Sequence, residues 1–145
     1  EVPPEIDRLE APQPVEDIAH QSEIVPWNPA PTPFPQVHVM GNGRLSCWIA
    51  ESGGGVLRWQ GQAITRFVPD AVRDADGMWL YIHDLESDKL WSATRQPTDA
   101  IPDQYQVLFQ PHVVEIHRRD AGIDTRLDVY VGKGEDIEVR RLSLI

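Results

Sequence analysis

The chain has 145 residues, 41% of them hydrophobic, enough for one domain whose core would bury about 70% of the surface that the unfolded chain exposes. Its 23 acidic residues outnumber 13 Lys and Arg, for a formal net charge of -10. This balance opposes the counterion-release attraction used by nucleic acids and anionic lipids, and so argues against either as a direct partner. The single cysteine, Cys47, excludes an intramolecular disulfide and a cysteine-cluster metal site, and favours a reducing compartment.

Residues 1–35 read as a Pro-rich acidic linker. Nine of the 13 prolines fall there; each fixes φ and removes an amide donor, which excludes a continuous helix or a central strand. Seven acidic residues against Arg8 alone add self-repulsion. Val15 to Val25 has room for one helical turn or more, although no helix is expected there. Trp27 and Phe34 are the exceptions in this stretch, and large aromatics predict that the last ten residues of the linker lie along the following domain.

From residue 36 to 145 the pattern becomes short β-branched and aromatic segments separated by Gly and Asp, the signature of an all-β antiparallel sandwich. Strands are predicted near 37–40, 44–50, 56–60, 63–68, 78–84, 89–93, 104–109, 112–119, 123–131 and 136–145. Gly41-Asn42-Gly43, Arg119-Asp120-Ala121-Gly122 and Gly132-Lys133-Gly134-Glu135 supply hairpin turns with positive φ. Alternation is clearest in Ile123 to Val131, with odd positions apolar and even ones mainly polar. In the last strand Ile137 and Val139 share one face while Leu142 and Leu144 fall on the other, which requires a bulge near Arg140-Arg141 or burial on both faces, the bulge being preferred. No apolar run approaches the ~18 residues of a membrane span. Glu138 to Ile145 reads as a strand without closing turn residues, so the sequence is expected to be a piece of a longer chain.

Chemistry-bearing residues are sparse. Ser52-Gly53-Gly54-Gly55 lacks the Gly-Lys-Ser/Thr ending of a phosphate loop and leads into a strand, so it reads as a turn. Asp70, Asp74, Asp76, Asp84, Glu86 and Asp88 could contain a glycosidase carboxylate pair, but most stand beside Pro69, Gly77 or Ser87, where aspartate caps turns. Asp74 and Asp84 read as loop-holding residues. The histidines at 20, 38, 83, 112 and 117 show no metal-ligand spacing, no nucleophile elbow surrounds Ser52 or Ser92, and Cys47 reads as a small buried side chain. Neither a catalytic residue, a metal nor a cofactor is expected. Trp59, Trp79, Tyr81 and Trp91 carry rings able to cover a pyranose face, with Arg58 and Arg66 as polar partners; core packing is the commoner role for each tryptophan in a sandwich, with sugar or interdomain contact the alternatives.

Taken in order, Ser52-Gly53-Gly54-Gly55, Arg58-Trp59, Ala63-Ile64-Thr65-Arg66, Asp70, Asp74, Gly77, Leu80-Tyr81-Ile82-His83-Asp84 and Trp91-Ser92 resemble the β-sandwich module of bacterial cyclic β-1,2-glucan synthases and of the related cellobiose and chitobiose phosphorylases. The series continues through Pro102-Asp103, Tyr105, Phe109, Glu115, Arg118-Arg119-Asp120, Gly122-Ile123 and Glu138-Val139-Arg140-Arg141-Leu142. The resemblance implies a galactose mutarotase-like supersandwich of which this is the first part. It implies a non-catalytic carbohydrate-binding or scaffold module, with β-glucan and neighbouring catalytic domains as partners, on the cytoplasmic side of the bacterial inner membrane within a membrane-linked protein. The alternative is the N-terminal part of a glycoside phosphorylase completing a sugar subsite on an adjoining helical barrel. Departures at Cys47-Trp48 and Met78-Trp79 could signal a reshaped ligand face. An exposed strand edge predicts self-association.

Overall fold

The structure, a computed structural model, describes residues 25–31, 34–68, 76–98 and 100–145. Most of the Pro-rich stretch, together with Asp70 and Asp74, lies outside the described residues. The remainder is all-β and antiparallel, as the sequence predicts. One sheet holds β1 (Val37–Gly41), β2 (Leu45–Ala50), β3 (Gly55–Trp59) and the short β4 (Gln62–Ala63), in that order. A second holds β7 (Gln104–Gln110), β8 (Val113–Asp120), β9 (Ile123–Val131) and β10 (Glu138–Leu144), ordered β10-β9-β8-β7. β5 (Tyr81–Asp84) and β6 (Lys89–Ser92) pair as a separate hairpin.

The alternating pattern sets which residues meet between the sheets. Met40, Cys47 and Ile49 of the first sheet cluster with Tyr105, Val107, Val114, Ile116, Leu127 and Val129 of the second, and Ala93 joins them. Burying each large aliphatic side chain contributes about 1.5–3 kcal/mol. Leu80 and Ile82 pack against this core, while Tyr81 and His83 point out, the alternation expected for that segment.

Each end of the second sheet is tied to loops. At one end the buried Arg118 makes a bidentate pair with Asp120, at 2.6 and 2.9 Å, and donates to the carbonyls of Thr94 and Ala100. Tyr105 donates to the Glu51 carbonyl at 2.5 Å, and the Arg95 guanidinium lies 4.7 Å over its ring. At the opposite end Asn42 reaches across to the β9–β10 turn, donating to the Gly132 and Glu135 carbonyls while its own oxygen accepts from the amides of Arg44 and Leu45. Trp27 exchanges two backbone hydrogen bonds with Val107, both 2.9 Å, and its ring meets Phe109 edge-on at 4.8 Å. The segment ahead of β1 thus lies along the edge of β7, as its aromatic residue suggests.

Four local expectations are corrected. The predicted strand over 63–68 survives only as Gln62–Ala63, because Ile64 and the Thr65 hydroxyl both turn back onto Leu57, the hydroxyl accepting its amide proton at 3.0 Å. The predicted strand over 78–84 begins only at Tyr81, since the preceding stretch crosses its neighbours through single bonds, such as that from the Gly55 amide to the Asp76 carbonyl. β10 has no bulge: its register with β9 is unbroken from Glu138 opposite Val131 to Leu144 opposite Thr125. Glu138 and Arg140 occupy core-side positions and neutralise each other at 2.6 Å, which lets a strand with apolar residues on both faces stay regular. Positive φ occurs at Gly43, Ala121 and Gly122 as predicted, but at no residue of 132–135, where the Asn42 bonds hold the turn instead.

Candidate functional site

β3 runs Val56-Leu57-Arg58-Trp59, and alternation sends Arg58 and Trp59 to opposite faces of the first sheet. Arg58 emerges on the outer face, where its guanidinium carbon stands 5.6 Å from the centroid of the Trp48 ring, within the range of a cation–π contact. Register explains the pairing: Trp48 lies opposite Val39 on one side and Val56 on the other, and Arg58 lies opposite Ser46, diagonal to Trp48. Trp48 keeps 39% of its surface exposed, and Val37 and Val39 flank it at 53% and 54%. The Nε–H of Arg58 is buried without an acceptor. A partly exposed indole, a guanidinium over its ring and a small apolar surround can cover the C–H face of a pyranose while donating to its hydroxyls.

The other residues selected from sequence are dispersed. Trp59 lies at the sheet margin with its indole N–H donating to Asp136 at 2.8 Å. That bond, followed by those from Arg44 and Asn42, holds the Asp136 carboxyl below its ordinary range, so Trp59 is part of a clamp on the β9–β10 turn. Arg66 sits in the extended stretch after β4, 3.8 Å from Asp76, and is almost wholly exposed. Trp79 is half-buried, its ring against Gly77. Tyr81 is 55% exposed on β5, whereas Trp91 is 2% exposed in the interior, where its ring has no open face. The structure therefore does not gather the six into one patch, and of the aromatics Trp48 is the one that Arg58 accompanies. Trp48 is missing from the sequence-based set, although the alternation Leu45, Cys47, Ile49 against Ser46, Trp48, Ala50 already separates it from the core positions.

The acidic residues serve turns. Asp84 accepts from the Glu86 amide at 3.0 Å and from the Ser87 hydroxyl, which, with the hydroxyl first, hold its carboxyl below the ordinary value. Asp76 accepts from the Val68 amide, and Asp88 pairs with His83 at 2.9 Å. Cys47 is 1% exposed, and burial, reinforced by the facing Glu138 carboxylate, pushes its thiol far up.

Comparison with known proteins gives this architecture its class. The profile of the glycosyl hydrolase 94 supersandwich domain matches residues 21–145, and the chain belongs to that family. Among curated relatives it is similar to the cyclic beta-(1,2)-glucan synthase NdvB of Rhizobium meliloti (strain 1021), 29% identical over 107 residues, covering 74% of this chain and 4% of that protein. It is also similar to the N,N'-diacetylchitobiose phosphorylase of Vibrio proteolyticus, 29% identical over 112 residues, covering 74% of this chain and 14% of that protein. The chain thus spans only a small part of the length of either relative.

Proposed function

We propose that this domain is a non-catalytic module that holds or guides β-glucan for neighbouring catalytic domains of a cyclic β-1,2-glucan synthase. The observation that carries the reading is the partly exposed Trp48 ring with Arg58 over it, on the face of the first sheet that points away from the core cluster. Similarity to a cyclic glucan synthase and to a chitobiose phosphorylase, both named for chemistry on sugar oligomers, points to the same ligand class. An open platform of this kind gains few contacts and must still immobilise a flexible chain, so a dissociation constant of about millimolar is expected.

Titration of the chain with soluble β-1,2-glucan should shift tryptophan fluorescence, and an unrelated polysaccharide should not. Trp48→Ala should abolish the shift; because the ring is only 39% exposed it should also lower the melting temperature, and retained β content by circular dichroism shows that the fold persists. Loss of the shift in Trp59→Phe but not in Trp48→Ala would sink this placement, and silence at the highest soluble glucan concentration would sink glucan binding by the domain. The similarity to the phosphorylase favours a second reading, in which the domain completes a sugar subsite on an adjoining catalytic domain; there the isolated chain stays silent and a Trp48→Ala substitution in the longer protein raises KM.

A further inference from the structure

The outer face of the second sheet carries a depression of about 330 Å³, near the lower end of the size range of small-ligand sites. Strand register builds it. Gln104, Arg119 and Asp124 lie side by side across β7, β8 and β9, and Gln106, His117 and Arg126 form the next row on the same face. With strands about 4.8 Å apart and same-face rows about 7 Å apart, this is a two-by-three array of planar hydrogen-bonding groups. Ile145, whose backbone exchanges two hydrogen bonds with Asp124, adds an apolar element to the lining.

The charges compensate one another locally. Arg126 stands 2.9 Å from Glu115 and 2.8 Å from Asp128, Arg141 2.5 Å from Asp128, and Arg119 3.7 Å from Asp124. Three cations meet three carboxylates, so the face offers a phosphate no surplus positive charge. The Arg119–Asp124 separation is longer than a hydrogen bond, and both side chains are nearly half exposed, which leaves their donors and acceptors in reach of a ligand. The two glutamine amides each add donors and an acceptor. A neutral ligand with many hydroxyls and one apolar face satisfies this set.

We propose that the array formed by Gln104, Gln106, His117, Arg119, Asp124 and Arg126 is a second, hydrogen-bonding subsite for a neutral sugar, on the face of the sandwich opposite Trp48. It extends the glucan-holding reading to another surface, and its ligand class follows from the array's own chemistry.

The test is a titration of the isotope-labelled chain, followed by amide NMR shifts, with a linear β-1,2-linked glucose oligomer and, separately, with inorganic phosphate. The oligomer should produce saturable shifts at 104–106, 117–119 and 124–126. Gln104→Ala with Gln106→Ala should weaken that response about tenfold, the effect of losing two neutral hydrogen bonds, with melting unchanged because both side chains are exposed. Asp124→Asn, which keeps an acceptor, should weaken it less than Asp124→Ala. Shifts confined to β2 and β3 would overturn the subsite and leave the Trp48 platform standing. Shifts at the array that persist in Trp48→Ala, with none on β2 and β3, would support the subsite and remove the platform. A phosphate response at the array as strong as the oligomer's would overturn the assignment to neutral sugars, and no shift anywhere would overturn both.

Discussion

Arg118 is the least replaceable side chain in the fold. Its guanidinium is wholly buried, and its donors go to Asp120 and to the carbonyls of Thr94 and Ala100, so one residue fixes the loop between β6 and β7. Arg118→Met should lower unfolding free energy by about 3–5 kcal/mol, the cost of leaving a buried carboxylate unpaired. Arg118→Lys should recover only part of this, since an ammonium cannot reproduce the planar fork; urea denaturation measures both. Asp128 makes the pH-dependent counterpart. Burial pushes its carboxyl up, but hydrogen bonds from Arg126 and Arg141 outweigh that and hold it below the ordinary 3.8. A depressed carboxyl stabilises the folded state fully above its unfolded value, and the contribution is lost as pH falls through the lower folded value. The melting temperature of Asp128→Asn should therefore lie below that of the unaltered chain at neutral pH, and the gap should close in strong acid. A gap that stays constant across the titration would show that the charge is not what the arginines recognise.

Single elements depend on contacts far apart in sequence. Asn42 joins the β1–β2 turn to the β9–β10 turn by bonds spanning 90 and 93 residues. Asn42→Ala should cost about 1–3 kcal/mol, as expected when bonded backbone groups lose their partner, and should speed amide exchange at 132–137 before the rest of the sheet. Gly53 illustrates a local requirement: it combines φ +98° with a position where a Cβ would fall 2.3 Å from the Thr94 Cβ. Gly53→Ala should thus destabilise by more than the usual ~1 kcal/mol for a glycine in a left-handed conformation, seen as a lower melting temperature with β content retained. The positions of most strands and many of their boundaries were legible in the sequence because alternation and Gly or Asp turns are local signals; the order of the strands in each sheet was not, since it rests on pairings that local patterns do not specify. The unbroken β10 was not, because a Glu138–Arg140 pair at core-side positions imitates the polar break of a bulge. Nor was the burial of Trp91: it sits in a short strand as Trp48 does, yet it is 2% exposed where Trp48 is 39% exposed. The Asn42 clamp is equally invisible locally, since its partners are almost a whole domain away.

At the scale of the molecule, the two edges of the second sheet differ. β7 has part of its edge occupied by the Trp27 bridge, whereas β10, a seven-residue strand, has among the described residues β9 on one side and no strand on the other. Its far edge presents backbone donors and acceptors in a row, and Ile137, Leu144 and Ile145 lie exposed beside it at 42%, 57% and 84%. Such an edge is a template for pairing with another strand, although Glu138, Arg140 and Arg141 on the same strand are the kind of charged residue that limits it. The apolar end, at Leu144, is where pairing should begin. Sedimentation of the chain should therefore show weight-average mass rising with concentration, and Leu144→Lys should suppress the rise with little change in melting temperature, because a charge placed on an edge penalises burial in a second molecule and not the existing fold. The β7 edge supplies a separate test: Trp27→Ala keeps the backbone bonds to Val107 but loses the ring contact with Phe109, and by loosening the segment on that edge it should add association that Leu144→Lys does not suppress. A chain that stays monomeric at all concentrations, with and without Trp27, would show that the charges on β10 already suffice to keep its edge closed to other strands.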